Sequence, residues 1–302
     1  ISLPIFLIIF SGWLLKKYKI VTDEWVHILN QFAYYVSLPA LIINSFWEIN
    51  FLARESLNLI FLNLSIIILL SLTIFVFLSF LKINKNLKTT IFLSATVGNT
   101  IYMGFPLVEM GFGKEYLPAA AIVGTIYLIV PLLITIFLIK HWHCRENCLS
   151  EELGGFFKNP LIISVFIGVA LSFLKILSMD NFLIFAVKKS ISMLGATASP
   201  IALFTLGAFL YGRFLKKDLG LVFLVSLLKI AILPLFIIAG SLILFRTDSL
   251  KIIVLLSSMP VAATTFVIAE KFNLNKELVG NSILVSTIVS FIAAPLIIFL
   301  FS

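Results

Sequence analysis

The fold is decided by a short segment, ATVGNTIYMGFP at positions 95–106. It places two glycines, an asparagine and a proline inside an apolar stretch, and these residues interrupt a helix. Lipid cannot hydrogen-bond to a backbone that has lost its helical partners, so such a break must be buried in protein or line a cavity. The segment therefore predicts an interrupted helix inside a membrane domain.

A second segment of this kind, SSMPVAATT, occupies positions 257–265. A proline in the first turn of a new half-helix is favourable, and the start of that half-helix presents free N–H groups and a partial positive charge. We expect two such half-helices, near Pro106 and near Pro260, to form an anion site where they cross, with Thr100 and Thr264 beside the breaks. Because packing kinks also use Gly and Pro, the alternative that the breaks only bend helices stays open here.

The spacing between the two segments recurs elsewhere, which predicts an internal repeat. Matching residues lie 161 or 162 positions apart: Asn99 with Pro260, Pro39 with Pro200, and Thr125 with Thr287. This offset divides the chain into halves of five spans each. An odd number of spans gives the halves opposite orientations, and inverted repeats with broken helices are typical of secondary transporters.

The composition requires a membrane. Hydrophobic residues make up 61% of the chain, charged residues only 12%, and the mean hydropathy is +1.16. These values exclude a soluble enzyme, a nucleic-acid-binding protein and a disordered chain. The net charge of +8 is spread between apolar runs and forms no basic patch. The apolar runs are continuous rather than alternating, which excludes a transmembrane β-barrel.

We predict an all-α polytopic membrane protein with ten transmembrane helices in two inverted five-helix repeats. The first repeat covers 1–139, a cytoplasmic linker covers 140–158, and the second repeat covers 159–302. A span needs about 20 apolar residues. The predicted spans are 1–15, 26–46, 57–81, 89–108, 116–139, 159–177, 183–211, 219–245, 251–269 and 278–301.

The loops predict the orientation. Those after the odd-numbered spans carry 14 Lys and Arg residues, against 7 in the loops after spans 2, 4, 6 and 8. Because basic loops stay in the cytoplasm, we expect both termini to lie outside a cell membrane.

Lys229 is the charged residue expected in the middle of a span. It lies ten residues, or about 15 Å, from the nearer span end at Leu219, which is too far for snorkelling. A buried membrane lysine is a functional candidate by default. Two roles stay open: a counter-charge for an anionic substrate, or a structural charge that caps the negative ends of the half-helices.

Other charged and metal-binding residue types lie near span ends or in loops. All 14 acidic residues do so, which argues against a cation-coupling carboxylate and against an intramembrane aspartyl protease. The histidines lie outside the span centres, so we predict no enzyme activity and no organic cofactor. The loop residues His141, His143, Cys144 and Cys148 have metal-ligand types but no standard zinc spacing, and we expect a reduced loop without metal.

Several motifs resemble those of the auxin efflux carrier family, which includes the plant PIN proteins and many bacterial transporters. The run NTIYMGFPL at 99–107 is similar to the family's span 4 motif, and FVIAEKFN at 266–273 is similar to its span 9 segment. VSLPAL at 36–41 and PIALFTLG at 200–207 match the span 2 and span 7 patterns. The resemblance covers nearly the whole chain.

The resemblance implies a fold like that of the bile-acid symporters and sodium/proton antiporters. Spans 1, 2, 6 and 7 would form a scaffold, and spans 3–5 and 8–10 would move against it as an elevator. A small organic anion, such as an auxin-like acid, malate or malonate, would bind at the crossing of spans 4 and 9. The implied site residues are Asn99, Met103, Pro106, Thr125 and Pro260, with Pro39 and Asn44 facing them from the scaffold.

The resemblance also suggests a homodimer formed through the scaffold. The short central loop departs from the plant members and puts regulation by kinases in doubt. Two alternatives stay open: a Na⁺-coupled symporter of the bile-acid type, and a membrane sensor with the same fold that binds its ligand without transporting it.

Overall fold

The computed structural model describes residues 3–51, 53–143, 159–174, 182–212, 219–244 and 249–301. Within these ranges the chain is helical and contains no strand apart from one isolated bridge. The helices of the first half are α1 (Leu3–Lys17), α2 (Asp23–Phe32), α3 (Leu38–Trp47), α4 (Arg54–Phe80), α5 (Lys85–Thr96), α6 (Phe105–Phe112) and α7 (Leu117–His143).

The helices of the second half are α8 (Pro160–Leu174), α9 (Phe182–Ala196), α10 (Ala198–Leu210), α11 (Leu219–Leu227), α12 (Leu233–Leu244), α13 (Leu250–Ser257), α14 (Thr264–Lys271) and α15 (Lys276–Phe301). Six helical runs of the described chain are long and apolar enough to cross a membrane: Asp23–Trp47, Arg54–Phe80, Lys114–Ile139, Phe182–Leu210, Leu219–Gly240 and Lys276–Phe301. The prediction of an all-α polytopic membrane protein is confirmed.

Two helices begin earlier than the apolar pattern predicts because polar side chains cap them. The Thr22 hydroxyl accepts a hydrogen bond from Trp25 N at 3.3 Å, so α2 begins at Asp23. The Asn84 side chain accepts one from Leu87 N at 2.7 Å, so α5 begins at Lys85. Each cap satisfies one N–H that the first helical turn leaves free.

Widened π-helical turns precede prolines inside the spans. These turns cover Ala33–Ser37, Thr100–Gly104 and Leu228–Ile232, and Pro39, Pro106 and Pro234 each follow two positions later. Proline cannot donate a backbone hydrogen bond, and its ring clashes with the carbonyl one turn earlier. A π turn absorbs this change without ending the helix.

This geometry corrects one prediction for span 4. The sequence predicts one break around Gly98 and a second at Pro106. The chain is instead helical from Thr100 to Phe112, and Pro106 lies in the first turn of α6. The π turn before Pro106 accommodates the proline, so the helix continues.

Glycines bring α1 and α10 into backbone contact along their length. A Cβ atom on Gly207 would overlap the carbonyl oxygen of Ile9, and one on Gly12 would overlap that of Phe204. Small residues of this kind let membrane helices pack closely. Close van der Waals packing matters in a bilayer because the hydrophobic effect does not drive helices together in lipid.

Glycines also join α3 to its neighbours. A Cβ on Gly168 of α8 would lie 2.6 Å from Phe46 Cβ, and one on Gly195 of α9 would lie 2.9 Å from Leu41 Cα. We call α1–α3 and α8–α10 the glycine-packed group. The other helices pack chiefly among themselves, α4 and α5 against α7, α11 against α15 and α12 against α13, and we call them the break-containing group.

We predict that Gly207→Ala lowers the free energy of unfolding by about 1–3 kcal/mol, because the added methyl group forces α1 and α10 apart. Gly240→Ala is the matched control, since its Cβ would meet its nearest neighbour only at 3.7 Å. Thermal unfolding in detergent measures both variants. Equal melting temperatures would show that the close approach of α1 and α10 does not stabilise the fold.

Candidate functional site

The two helix breaks lie side by side and pair with each other. Gly98 and Val261 form an antiparallel bridge. Asn99 N donates to Pro260 O at 2.8 Å, and Ala262 N donates to Val97 O at 3.2 Å. The backbone groups that the helices cannot satisfy therefore find partners across the two breaks.

Flanking helices complete the pairing of the breaks. Val261 N donates to Ser286 Oγ of α15 at 3.0 Å. The hydroxyl of Thr100 donates to Gly124 O of α7 at 3.2 Å. Gly124 has to be small here, because a Cβ on it would lie 2.7 Å from the ring of Phe105. The breaks are thus fixed between α7 and α15.

The side-chain oxygen of Asn99 is unpaired among the described residues, whereas its backbone N and O are both hydrogen-bonded. Asn99 O accepts hydrogen bonds from Met103 N and Gly104 N, both at 3.2 Å, and so caps the helical run that follows. The residue is only 3% exposed, yet Oδ1 has no hydrogen-bond partner among the described residues. Buried polar atoms are almost always hydrogen-bonded, so this oxygen calls for a hydrogen-bond donor, such as water or a ligand, from outside the chain.

Two threonine hydroxyls share this property. Thr125 follows Gly124 on α7 and is 8% exposed, and Thr264 is the first residue of α14. Neither Oγ1 atom has a hydrogen-bond partner within the described ranges. Each hydroxyl can donate one hydrogen bond and accept two. With the Asn99 amide they supply the polar groups that a small carboxylate requires.

The other predicted residues of the breaks differ in what they can offer. Met103 and Pro106 are buried and apolar. Met103 is followed by Gly104, where a Cβ would overlap Leu256. The Thr100 hydroxyl already bonds to Gly124, and Pro260 accepts from Asn99, so both stabilise the breaks. These residues form the wall of the site rather than its polar contacts.

Pro39 and Asn44 lie on α3, which packs against α7. Both are half-buried, and Asn44 Oδ1 has no partner in the described part of the chain. No hydrogen bond described for these ranges joins Asn44 to Asn99 or Thr125. The structure therefore leaves these two residues on the neighbouring helix, without a described hydrogen bond to the breaks.

Lys229 reaches the breaks from the π turn between α11 and α12. The residue is 1% exposed, and its Nζ donates to Ser257 O, at the end of α13, at 2.8 Å. A Cβ on Gly98 would lie 2.7 Å from that Nζ. The ammonium group thus lies next to the C-terminal ends of α5 and α13, where the helix dipoles are negative.

Thr287 is a further candidate site residue, which the sequence alone did not predict. It follows Ser286 on α15, is 4% exposed, and its hydroxyl has no partner among the described residues. Thr287 lies 162 positions after Thr125, and Lys276 lies 162 positions after Lys114. This shared spacing was the sequence signal that could have identified Thr287.

The predicted loop of possible metal ligands lies largely outside the described residues. This holds for Cys144, Cys148 and the side chain of His143. Within the ranges that the structure covers, no group of three His, Cys, Asp or Glu residues could hold a metal ion.

Comparisons with known proteins agree with this architecture. The family model described as "Membrane transport protein" matches residues 2–298. An uncharacterized transporter of Methanocaldococcus jannaschii is 25% identical, over 98% of this chain and 96% of its own. A Rhizobium meliloti protein named "Putative malonate transporter" is 26% identical, over 95% and 91%.

The lysosomal cholesterol signaling protein of Mus musculus is also similar, at 27% identity over 97% of this chain but only 36% of its own length. The match to the family model spans nearly every residue, and the resemblance to the auxin efflux carriers is confirmed. The protein is an integral membrane transporter and not an enzyme, and it belongs to the membrane transport protein family, that of the auxin efflux carriers.

Proposed function

We propose that this protein carries a small organic anion across the membrane, by uniport or secondary active transport, and that the anion binds where the two breaks meet. The buried side chain of Asn99, whose Oδ1 has no hydrogen-bond partner among the described residues, is the observation that carries the proposal. Its NH₂ group and the hydroxyls of Thr125 and Thr264 would donate to a carboxylate. The starts of the helical runs after each break add partial positive charge.

An inverted repeat of ten spans is part of this proposal, and contacts on both sides of the breaks support it. Thr100 contacts Gly124, and Val261 contacts Ser286. Thr100 and Val261 are 161 positions apart, and Gly124 and Ser286 are 162 apart. A hydrogen bond therefore joins the corresponding residues in each half, from the Thr100 hydroxyl to a backbone carbonyl in one and from the Val261 amide to a serine hydroxyl in the other.

Two surface ion pairs repeat in the same way. Lys114 pairs with Glu109 at 3.5 Å, and Lys276 pairs with Glu270 at 3.3 Å. The two glutamates are 161 positions apart, as are Thr100 and Val261. The two lysines are 162 positions apart, as are Gly124 and Ser286. Exposed ion pairs of this kind contribute little to stability. Their repetition at equivalent positions nevertheless supports the proposed symmetry.

The proposed two-fold axis would pass through the anion site. Asn99 and Pro260 are equivalent residues of the two halves, and the backbone of Asn99 bonds directly to that of Pro260. A residue that contacts its own equivalent lies on the axis that relates them. Asn99 would thus be reached from either side of the membrane in turn, as alternating access requires.

Packing supports an elevator in which the break-containing group moves against the glycine-packed group. Backbone contacts at Gly12 and Gly207 hold the glycine-packed group together as a rigid unit. Aromatic pairs join the two groups instead, among them Phe6 with Phe291 and Phe209 with Phe266. We further propose that the scaffold forms a homodimer, that both termini lie outside and that the protein occupies the cell membrane.

We assign Lys229 a structural role in this site. Its ammonium donates to Ser257 O and adjoins Gly98, which offsets the negative ends of two half-helices. A charge engaged in this way is less available to bind the substrate. It would also occupy a position where a transporter of similar fold could hold a coupling cation.

Malonate and indole-3-acetate represent the two substrate types that we consider. The relative from Rhizobium meliloti carries malonate in its name, and the auxin efflux carriers suggest an indole acid. Because one relative is named as a signaling protein, a sensor function is the alternative that we consider. A measurement of substrate flux distinguishes the two, because a transporter moves the acid across the membrane and a sensor only binds it.

We predict that Asn99→Ala lowers flux of the transported acid about tenfold or more, because one hydrogen bond to a charged group is lost. Folding should persist, since the backbone of Asn99 makes the bonds that fix the breaks. Asn86→Ala, at the exposed start of α5, is the control. Full flux by the Asn99 variant would refute the site.

We predict that flux of one of the two acids into proteoliposomes follows an imposed membrane potential without a proton or Na⁺ gradient. Acidic residues of the described spans lie at helix ends, and no buried carboxylate is present there to bind a coupling ion. A strict requirement for Na⁺ would favour the bile-acid type of symporter. Saturable binding without flux would favour the sensor.

We predict that Lys229→Met lowers the free energy of unfolding by about 2 kcal/mol, because Ser257 O loses its charged partner. Thermal unfolding and substrate binding are measured on the same preparation. A variant that keeps its stability but loses binding would assign Lys229 to the substrate instead.

A further inference from the structure

Like Thr125, Thr287 has a buried hydroxyl without a hydrogen-bond partner among the described residues, and it lies in the other half of the chain. Some buried hydroxyls on these helices bond back to a carbonyl of the preceding turn, as Thr135 does to Pro131 O and Ser290 to Thr287 O, whereas Ser282 has no partner among the described residues. The hydroxyls of Thr125 and Thr287 do not bond back in this way. A buried hydroxyl without a partner destabilises the fold, so its retention needs an explanation.

Both threonines are anchored to the breaks through the residue that precedes them. Gly124 accepts the hydrogen bond of Thr100, and Ser286 accepts that of Val261. These contacts fix the rotation of α7 and of α15 about their axes. Each threonine then lies about 100° further around its helix, at an equivalent position relative to the breaks.

The threonines also lie at equal depths from opposite ends of the fold. Thr125 follows Lys114 by as many positions as Thr287 follows Lys276. With a helical rise of 1.5 Å per residue, each threonine is about 16 Å from its own surface and close to the middle of a bilayer.

Thr287 faces the boundary between the two helix groups. Phe291, one turn further along α15, lies on the same helix face and contacts Phe6 of α1, with ring centroids 4.2 Å apart. On the other side, α7 packs against α3. Both α1 and α3 belong to the glycine-packed group, so α15 near Thr287 and helix α7, which carries Thr125, border the surface along which the groups would slide.

We propose that Thr287 is a second hydroxyl contact for the transported carboxylate, which Thr125 and Thr287 bind in turn as the site opens to opposite faces of the membrane. This inference rests on the proposed transport function and on its inverted repeat. The two-fold relation exchanges the membrane faces, so the side from which Thr125 is reached is not the side from which Thr287 is reached.

The first test measures access by water and needs no knowledge of the substrate. Thr125→Cys and Thr287→Cys are made separately in a chain that carries Cys144→Ser and Cys148→Ser. A membrane-impermeant methanethiosulfonate is added to right-side-out and to inside-out vesicles. The controls are Thr135→Cys and Ser290→Cys, because both parent hydroxyls are satisfied within their own helices.

We expect Thr125→Cys to react from one membrane face and Thr287→Cys from the other, both at least tenfold faster than the controls. A Thr287→Cys protein that reacts no faster than Ser290→Cys would overturn the inference. Reaction of both test cysteines from the same face would also overturn it, because the two positions would then line one path.

The second test separates the inference from the transport function itself. Thr287→Val, Thr287→Ser and Asn99→Ala are assayed in proteoliposomes with indole-3-acetate and with malonate. We expect Thr287→Val to raise the half-saturating concentration about tenfold, Thr287→Ser to restore it, and the melting temperature of Thr287→Val to stay equal or rise. A purely structural hydroxyl would lower stability instead.

The outcomes differ for the two ideas. Normal affinity in Thr287→Val with loss of flux in Asn99→Ala would overturn the role of Thr287 and keep the proposed transport site. Absence of flux in the unaltered protein, or full flux in Asn99→Ala, would overturn the transport proposal, and the carboxylate contact falls with it.

Discussion

The structure depends on one constraint, which is that the bilayer offers no hydrogen bonds to an exposed backbone. Two helices nevertheless open, between Thr96 and Thr100 and between Ser257 and Thr264. They do so together, because each break supplies donors and acceptors to the other, and Ser286 completes the set. Neither break would be stable alone in lipid. This mutual dependence brings free side chains to the centre of the protein.

Small residues serve two different purposes around this centre. Gly12 and Gly207 remove the space between α1 and α10, so that backbone meets backbone. Gly98 instead makes room for a charged side chain, since its Cβ would collide with the Lys229 ammonium. Proline acts differently again, because the π turns ahead of Pro39, Pro106 and Pro234 let helices continue where a break would otherwise form.

Much of the fold follows from the sequence because the bilayer simplifies the physics. Apolar length indicates the spans. Gly98 and Pro260 mark the breaks because each lies in a cluster of Gly, Pro, Asn or Ser residues, whereas the isolated prolines Pro131 and Pro295 lie inside continuous helices. Capped starts at Thr22 and Asn84 were missed, as was the continuity of the helix through Pro106, because side-chain caps and π turns leave no hydropathy signal.

The site was only partly accessible to sequence reasoning. Asn99 stands out as a polar residue inside a break, whereas Thr287 is one of many Ser and Thr residues on a membrane helix. Only three-dimensional contacts separate a hydroxyl that bonds to its own helix from one that does not. Likewise, the sequence left two roles open for Lys229, and the bond to Ser257 O favours one of them.

The position of Lys229 has an energetic consequence for the proposed elevator. The lysine is part of the break-containing group, so its positive charge would travel with the site. Movement of one charge through 100 mV is associated with about 2.3 kcal/mol. A carrier loaded with a monoanion would be nearly neutral as it crosses, whereas the empty carrier would be positive. The electric field would then act mainly on the empty return step, and an inside-negative cell would draw the empty site toward the cytoplasm.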